Sequence, residues 1–214
     1  LAMGFGAIGA AIGEGYTAAQ ANLAVSRDPK NSGEIFKNML VGQAVAESAS
    51  IFALVIAILL LFLDVSVPTL LKAAALFGAG ISMGLAAIGS GYGGGLAAGA
   101  SCEGIARQPR TAANVTTIML VGQAVAQTPS IFGLLVSFIL MFKSFPESTA
   151  LSASMALLGA GICTGFGGIG PGLGNGIANL HNARRARTPV LNVIGEHATD
   201  QNDPIGRIGC YIVL

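Results

Sequence analysis

A chain of 214 residues that is 53% hydrophobic and only 10% charged suits lipid better than water, since soluble domains carry about 25% charged residues. A net charge of +1 with no basic stripe interleaved with aromatics excludes a nucleic-acid partner. Cys102, Cys163 and Cys210 form no close pair and no metal-binding spacing, so they read as inert free thiols. The start at Leu1, with neither Met nor a targeting segment, leaves a processed or an incomplete beginning open.

In chain order, a Gly/Ala-rich helix is expected over 2–26, then the polar turn Arg27-Asp28-Pro29, then a bulkier Val/Ile/Leu/Phe helix over 34–63. The same order returns as a helix over 70–106, the turn Arg107-Gln108-Pro109 and a helix over 112–142. A third inner helix over 150–186 leads to Arg187-Thr188-Pro189. Proline lacks a donor and restricts the residue before it, so each Arg-x-Pro ends a helix. Stretches such as Met39–Phe62 and Ile118–Phe142 are apolar and long enough to cross a hydrocarbon core of roughly 30 Å.

The order repeats because the sequence does. Met39–Leu54 reads MLVGQAVAESASIFAL and Met119–Leu134 reads MLVGQAVAQTPSIFGL, with twelve of sixteen positions identical at an offset of 80. The fold class expected is all-α, with transmembrane helical hairpins repeated every 80 residues. Residues 1–66 form the first hairpin, 67–147 the second and 148–189 the inner helix of a partial third. The tail 190–214 carries Glu196, Asp200, Asp203 and Arg207 and cannot be a second membrane helix as it stands. Truncation, a reading-frame error or real divergence would each account for it.

Gly89, Gly91, Gly93 and Gly95 form an alternating run, as do Gly170, Gly172, Gly174 and Gly176. Small residues let membrane helices approach closely, so such runs suit inner helices crowded into a ring. A phosphate or dinucleotide loop is a poor reading, because no strand precedes the runs and no Gly-Lys-Ser/Thr follows. Arg27, Lys30, Lys37, Arg107, Arg110, Arg184, Arg185 and Arg187 collect at one set of turns, while Asp64, Lys72, Lys143 and Glu147 nearly cancel at the other. The positive-inside rule places the Arg-x-Pro turns in the cytoplasm of a multi-pass protein.

Of the ten acidic residues, only Glu14 and Glu47 fall deep inside membrane helices; Glu103, for one, is four residues before Arg107 and pairs with it near the interface. A charge at the bilayer centre costs about 2.5–3.5 kcal/mol on insertion scales, so two of them call for a reason. Glu14 is thirteen residues before Arg27, and Glu47 is thirteen residues after Glu34. Both therefore lie about 20 Å from the same end of the hairpin and meet at one depth. Two carboxylates that close share a proton or hold a cation between them. The Ser48 hydroxyl and the Val45 carbonyl are further oxygens on hand. Protonated glutamates serving only as interhelical glue are the bland rival, and the matched depth argues against it.

The second unit has no acid to offer. Gln127 stands where Glu47 does, followed by Thr128 and Pro129, and Gly94 stands where Glu14 does. In the third unit the aligned residue is Asn175, twelve before Arg187, which implies a one-residue deletion. One hairpin is armed and the others are silent.

The segment GQAVAESASIF, Gly42–Phe52, resembles the outer helix of the c subunit of F-type and sodium-translocating ATP synthases. Ile169–Gly176 is similar to that family's glycine-rich inner helix, and Arg107-Gln108-Pro109 to its polar loop. The likeness covers about residues 1–190, and the multi-hairpin layout with a silent hairpin is similar to V-type proteolipids and fused c subunits. It implies a rotor ring of c subunits that carries H+ or Na+ on Glu47, turning against a stator a subunit and passing rotation to central stalk subunits. Glu14 sits where sodium-binding members have glutamine or glutamate, and Ser48 and the Val45 carbonyl match further sodium ligands. Metal binding on this reading is Na+ at Glu14, Glu47 and Ser48. Arg27 and Pro29, with Arg107, Gln108 and Pro109, would touch the stalk. Ala49 replaces a usual threonine and Phe52 a usual tyrosine, two lost oxygens that tilt the reading toward protons. The resemblance implies no cofactor, no nucleotide site and no catalytic residue, and a bacterial, archaeal or organelle membrane. A passive pore or scaffold of the same hairpins, or a non-functional fragment, are the readings from other classes.

Overall fold

The computed structural model describes residues 1–63, 69–143 and 151–186, with side chains through residue 178 of the last stretch. The expectations placed on Asp64, Glu147, Arg187-Thr188-Pro189 and the tail 190–214 lie outside the described residues, as do the side chains of Arg184 and Arg185. Five α-helices make up the rest: α1 Ala2–Arg27, α2 Ser32–Phe62, α3 Leu70–Arg107, α4 Ala112–Phe142 and α5 Leu151–Ala186. The all-α hairpin arrangement and the helix bounds agree with the sequence pattern to within two residues.

Helix ends form where the turn chemistry demands. After Arg27 the chain swings out at Asp28, and Pro29 opens one turn of 3-10 helix, Pro29–Asn31, before α2 begins. Gln108 and Pro109–Thr111 repeat the geometry between α3 and α4. Proline is accepted at the first position of a turn because the N–H it lacks would be unpaired there. At the opposite end the Thr69 hydroxyl accepts from the Lys72 amide, and the Lys72 ammonium donates to the last turn of α4 at the Met141 carbonyl.

Among the described residues four segments, Pro29–Phe62, Leu70–Arg107, Pro109–Phe142 and Leu151–Ala178, are long and apolar enough to cross a membrane. Large apolar side chains stand exposed along α2 and α4, among them Ile51, Leu54, Ile58, Ile131, Leu135 and Ile139. In a bilayer such a face is solvated by acyl chains, and helices satisfy their own backbone there.

α3 is the centre of the molecule. It packs between α1 and α5, with α2 laid over α1 and α3 and with α4 laid over α3 and α5. The alternating glycines explain how. Two residues turn a helix by about 200°, so Gly89 and Gly93 face α5 while Gly91 and Gly95 face α1. A Cβ at Gly89 would stand 2.7 Å from the Gly168 carbonyl oxygen, and one at Gly91 2.8 Å from the Ala10 nitrogen. Real Cβ atoms do not come so near, hence glycine on both sides of one helix. The contacts run one residue further from α3 to α5 than from α1 to α3: Gly13 sits on Gly91, and Gly93 on Gly172.

With so little side chain between the inner helices, the core is largely alanine. Ala49, Ala53, Ala75, Ala79 and Ala87 are fully buried, joined by Ile56 and Met83. Short polar side chains stitch neighbouring backbones, as expected where lipid removes the hydrophobic drive between helices. Thr17 donates to the Gly95 carbonyl at 3.0 Å, and Ser137 to the Ala79 carbonyl at 2.8 Å. Nearer the Arg-x-Pro turns, buried Asn38 donates to Ser101 at 2.6 Å and accepts from Thr116 at 2.8 Å, joining α2, α3 and α4.

Candidate functional site

Glu14 is half-buried on α1 and Glu47 is exposed on α2, two helices that pack against each other. Gln43, one turn before Glu47, donates its amide to the Glu14 carbonyl at 3.1 Å and ties the two helices at this depth. Ser50 caps the backbone below by donating to the Glu47 carbonyl at 2.8 Å. The two carboxylates thus occupy the open edge of the first hairpin.

Val45 and Ser48 belong to a different side of α2. Ser48 donates to the Val45 carbonyl at 2.7 Å, and the same oxygen accepts the amide of Gln127, reaching over from α4, at 3.1 Å. Among the described residues no hydrogen bond joins the Glu47 carboxylate to either of them. The structure therefore sets Val45 and Ser48 beside Gln127, while Glu14 and Glu47 lie on the packed pair α1 and α2, tied at this depth by Gln43.

The silent counterparts are packed where the acids are open. Gln127 is 7% exposed, against an exposed Glu47. Ser130 donates both to its carbonyl at 2.7 Å and to its side-chain oxygen at 3.3 Å. A Cβ on Gly94 would touch the Ala46 Cα at 3.3 Å and lie 3.6 Å from the Gln127 amide nitrogen, so α2 and α4 fill the space that Glu14 has in the first unit. Thr128 is half-buried beside them, and Pro129 is buried with its Cβ 3.6 Å from where a Cβ on Gly168 would stand. Asn175 is half-buried on α5, at the level the longer α3–α5 register assigns to Gly94.

Two residues escaped the sequence reading. Gln123 is completely buried and donates to the Gly42 carbonyl at 2.7 Å and to the Gly94 carbonyl at 3.0 Å. Gln43 makes the matching bond to Glu14 in the first unit. Both lie in the identical block MLVGQAVA, and a polar residue repeated inside an apolar helix was the signal to follow. At the turns, Glu103 pairs with Arg107 as the four-residue spacing implies, and also with Arg27 of α1 at 3.0 Å. That carboxylate straps the two Arg-x-Pro turns side by side.

Fold and site together define a membrane proteolipid of repeated helical hairpins, with one hairpin carrying paired carboxylates. The sequence pattern of the ATP synthase C subunit family matches twice, over residues 1–60 and 77–140. The chain belongs to that family: it is a membrane rotor proteolipid without a nucleotide site of its own. It is 32% identical over 177 residues to the K subunit of the A-type ATP synthase of Methanocaldococcus jannaschii, covering 83% of this chain and 74% of that one. It is 44% identical over 75 residues to the ATP synthase c subunit of Alkaliphilus oremlandii, 35% of this chain and 84% of that one. A stretch of 31 residues, 14% of this chain, is 74% identical to 6% of IlvX, a putative acetolactate synthase large subunit of Mycobacterium tuberculosis, a match too short to bear on function.

Proposed function

We propose that Glu47, assisted by Glu14, carries one cation at a time across the membrane as copies of this chain turn in a ring against a stator. The observation that carries the reading is the contrast between equivalent positions: the acid Glu47 lies on the open edge of its hairpin, and the amide Gln127 is sealed inside. An ion carrier has to meet both a neighbouring copy and a stator half-channel, and only the open position does so. Glu14 sits at the same depth and supplies a second oxygen pair to share a proton or ligate a cation.

The ion is read as H+ in preference to Na+, because Ala49 and Phe52 contribute no oxygen next to the carboxylates. The Arg-x-Pro turns, with Arg27 and Arg107 held together by Glu103, face the cytoplasm and meet the central stalk. One carboxylate-bearing hairpin alongside one silent hairpin means fewer ions per turn for a ring of given helix count, which favours ATP-driven pumping or synthesis under a large gradient.

Dicyclohexylcarbodiimide labelling of the purified protein across pH, with and without sodium, tests this by peptide mass. Reaction at Glu47 that follows pH alone makes it a proton carrier, and reaction that sodium suppresses makes it a sodium carrier. A Glu47 that never reacts, in folded protein, removes the ion-carrier reading and leaves a scaffold.

A further inference from the structure

We propose that Gln43 is the positioning residue of the carboxylate pair: its amide, bonded to the backbone of Glu14, fixes the offset at which the Glu14 and Glu47 side chains lean toward each other. The inference rests on the reading of that pair as the ion carrier. Counted from the helix ends at Arg27 and Ser32, Glu14 lies thirteen residues deep in α1, between Gln43 at eleven and Glu47 at fifteen in α2. In an α-helix every Cα–Cβ bond tilts toward the helix N-terminus. α1 runs toward its Arg-x-Pro turn and α2 runs away from it. The Glu14 side chain therefore leans away from the turn, and the Glu47 side chain leans back toward it. The two acids reach a common level only while their backbones keep this offset. The Gln43 amide, donated to the Glu14 carbonyl at 3.1 Å, spans the two helices at that level.

The second unit makes the same bond without an acid. Gln123 and Gly94 stand eighty residues after Gln43 and Glu14, and Gln123 donates to the Gly94 carbonyl at 3.0 Å. There the amide is completely buried and holds α2 as well, through the Gly42 carbonyl at 2.7 Å. Gln43 is half-buried and reaches α1 alone. Packing holds the first hairpin on either side of it. A Cβ at Gly6 would stand 2.6 Å from the Ala53 Cβ, and Ala21, Ala24 and Ile35 cluster next to the turn. Losing the Gln43 amide therefore frees the middle of the hairpin, where the acids are, and leaves the hairpin folded.

The test reads this geometry directly. Full-length protein in detergent carries Glu14→Cys with Glu47→Cys, and the rate at which copper phenanthroline joins the two thiols within one chain is read from the mass of the linked peptides. The same rate is taken with Gln43→Leu, Gln43→His or Gln123→Leu added. The parent is expected to form the 14–47 disulfide, and Gln43→Leu to slow it about threefold or more, a hydrogen bond's worth. That variant should still melt within about 2 °C of the parent. Gln43→His, measured at about pH 8 where the neutral ring still offers an N–H, should recover most of the rate. Gln123→Leu should leave it unchanged, since its amide does not touch Glu14. A parent that forms no such disulfide, or a Gln43→Leu rate equal to the parent's, overturns the proposal. So does a Gln43→His protein as slow as Gln43→Leu. Slowing by Gln123→Leu to the same extent, or a Gln43→Leu protein that melts well below the parent, makes the glutamine general glue instead. An unreactive Glu47 in the labelling experiment would sink the carrier reading without touching any of these outcomes.

Discussion

Gly93→Ala adds one methyl group at the tightest part of the inner row. The new Cβ would fall on the Gly172 backbone carbonyl of α5, and a backbone cannot turn aside as a flexible side chain can. Overpacking of this kind costs about 1–3 kcal/mol, while replacing glycine by alanine in a helix returns about 0.8–1.0 kcal/mol. At the upper end of the packing range the balance is a loss of roughly 2 kcal/mol, or about 4–8 °C in melting temperature for a chain of this size. Gly104→Ala is the internal control. There the nearest atom is a Val115 methyl at 3.5 Å, an ordinary contact, so the helix gain stands alone and the protein should melt about 2–4 °C higher. Thermal melts of the two purified variants in one detergent, beside the unaltered chain, make the comparison. Gly93→Ala melting at or above the parent would refute the claim that backbone contact between α3 and α5 dictates glycine there.

Other expectations follow from single contacts. Asn38→Leu removes a buried amide that holds Ser101 and Thr116, both of which keep carbonyl partners at Ala98 and Ala112. The loss should be about 1–2 kcal/mol, read as a lower melting temperature with unchanged helix content. Glu103→Gln unties Arg27 from Arg107 at a partly exposed site, so the melt should move by less than about 1 kcal/mol equivalent, and the parent's advantage should vanish in high salt. Glu47→Gln should end carbodiimide labelling at position 47 while leaving the hairpin folded, since its side chain is exposed and holds no helix in place.

Much of the architecture was legible from local signals. Repeat period, helix bounds and turn positions follow from proline chemistry and runs of apolar residues, which act within a few residues and need no knowledge of neighbours. Counting from the Arg-x-Pro turns likewise set Glu14 and Glu47 at one depth, because rise along a helix is constant. The alternating glycines announced close packing, and their partition between two neighbours follows from the turn per residue once α3 is known to be flanked on both sides.

What counting along a helix cannot supply is direction around it. α2 is nearly as apolar on one side as on another, so its sequence does not mark which face meets α1, which meets α4 and which meets lipid. Val45, Ser48 and Glu47 are close in the chain, and only the packing of α4 against α2 turns the first two toward Gln127 and leaves the third on the open edge. The same holds for Glu103, whose i+4 partner is written in the sequence while its bond to Arg27 depends on α1 and α3 lying parallel in register. Depth is a property of one helix, and the sequence determines it. Facing is a property of two, and it took the tertiary structure to decide it.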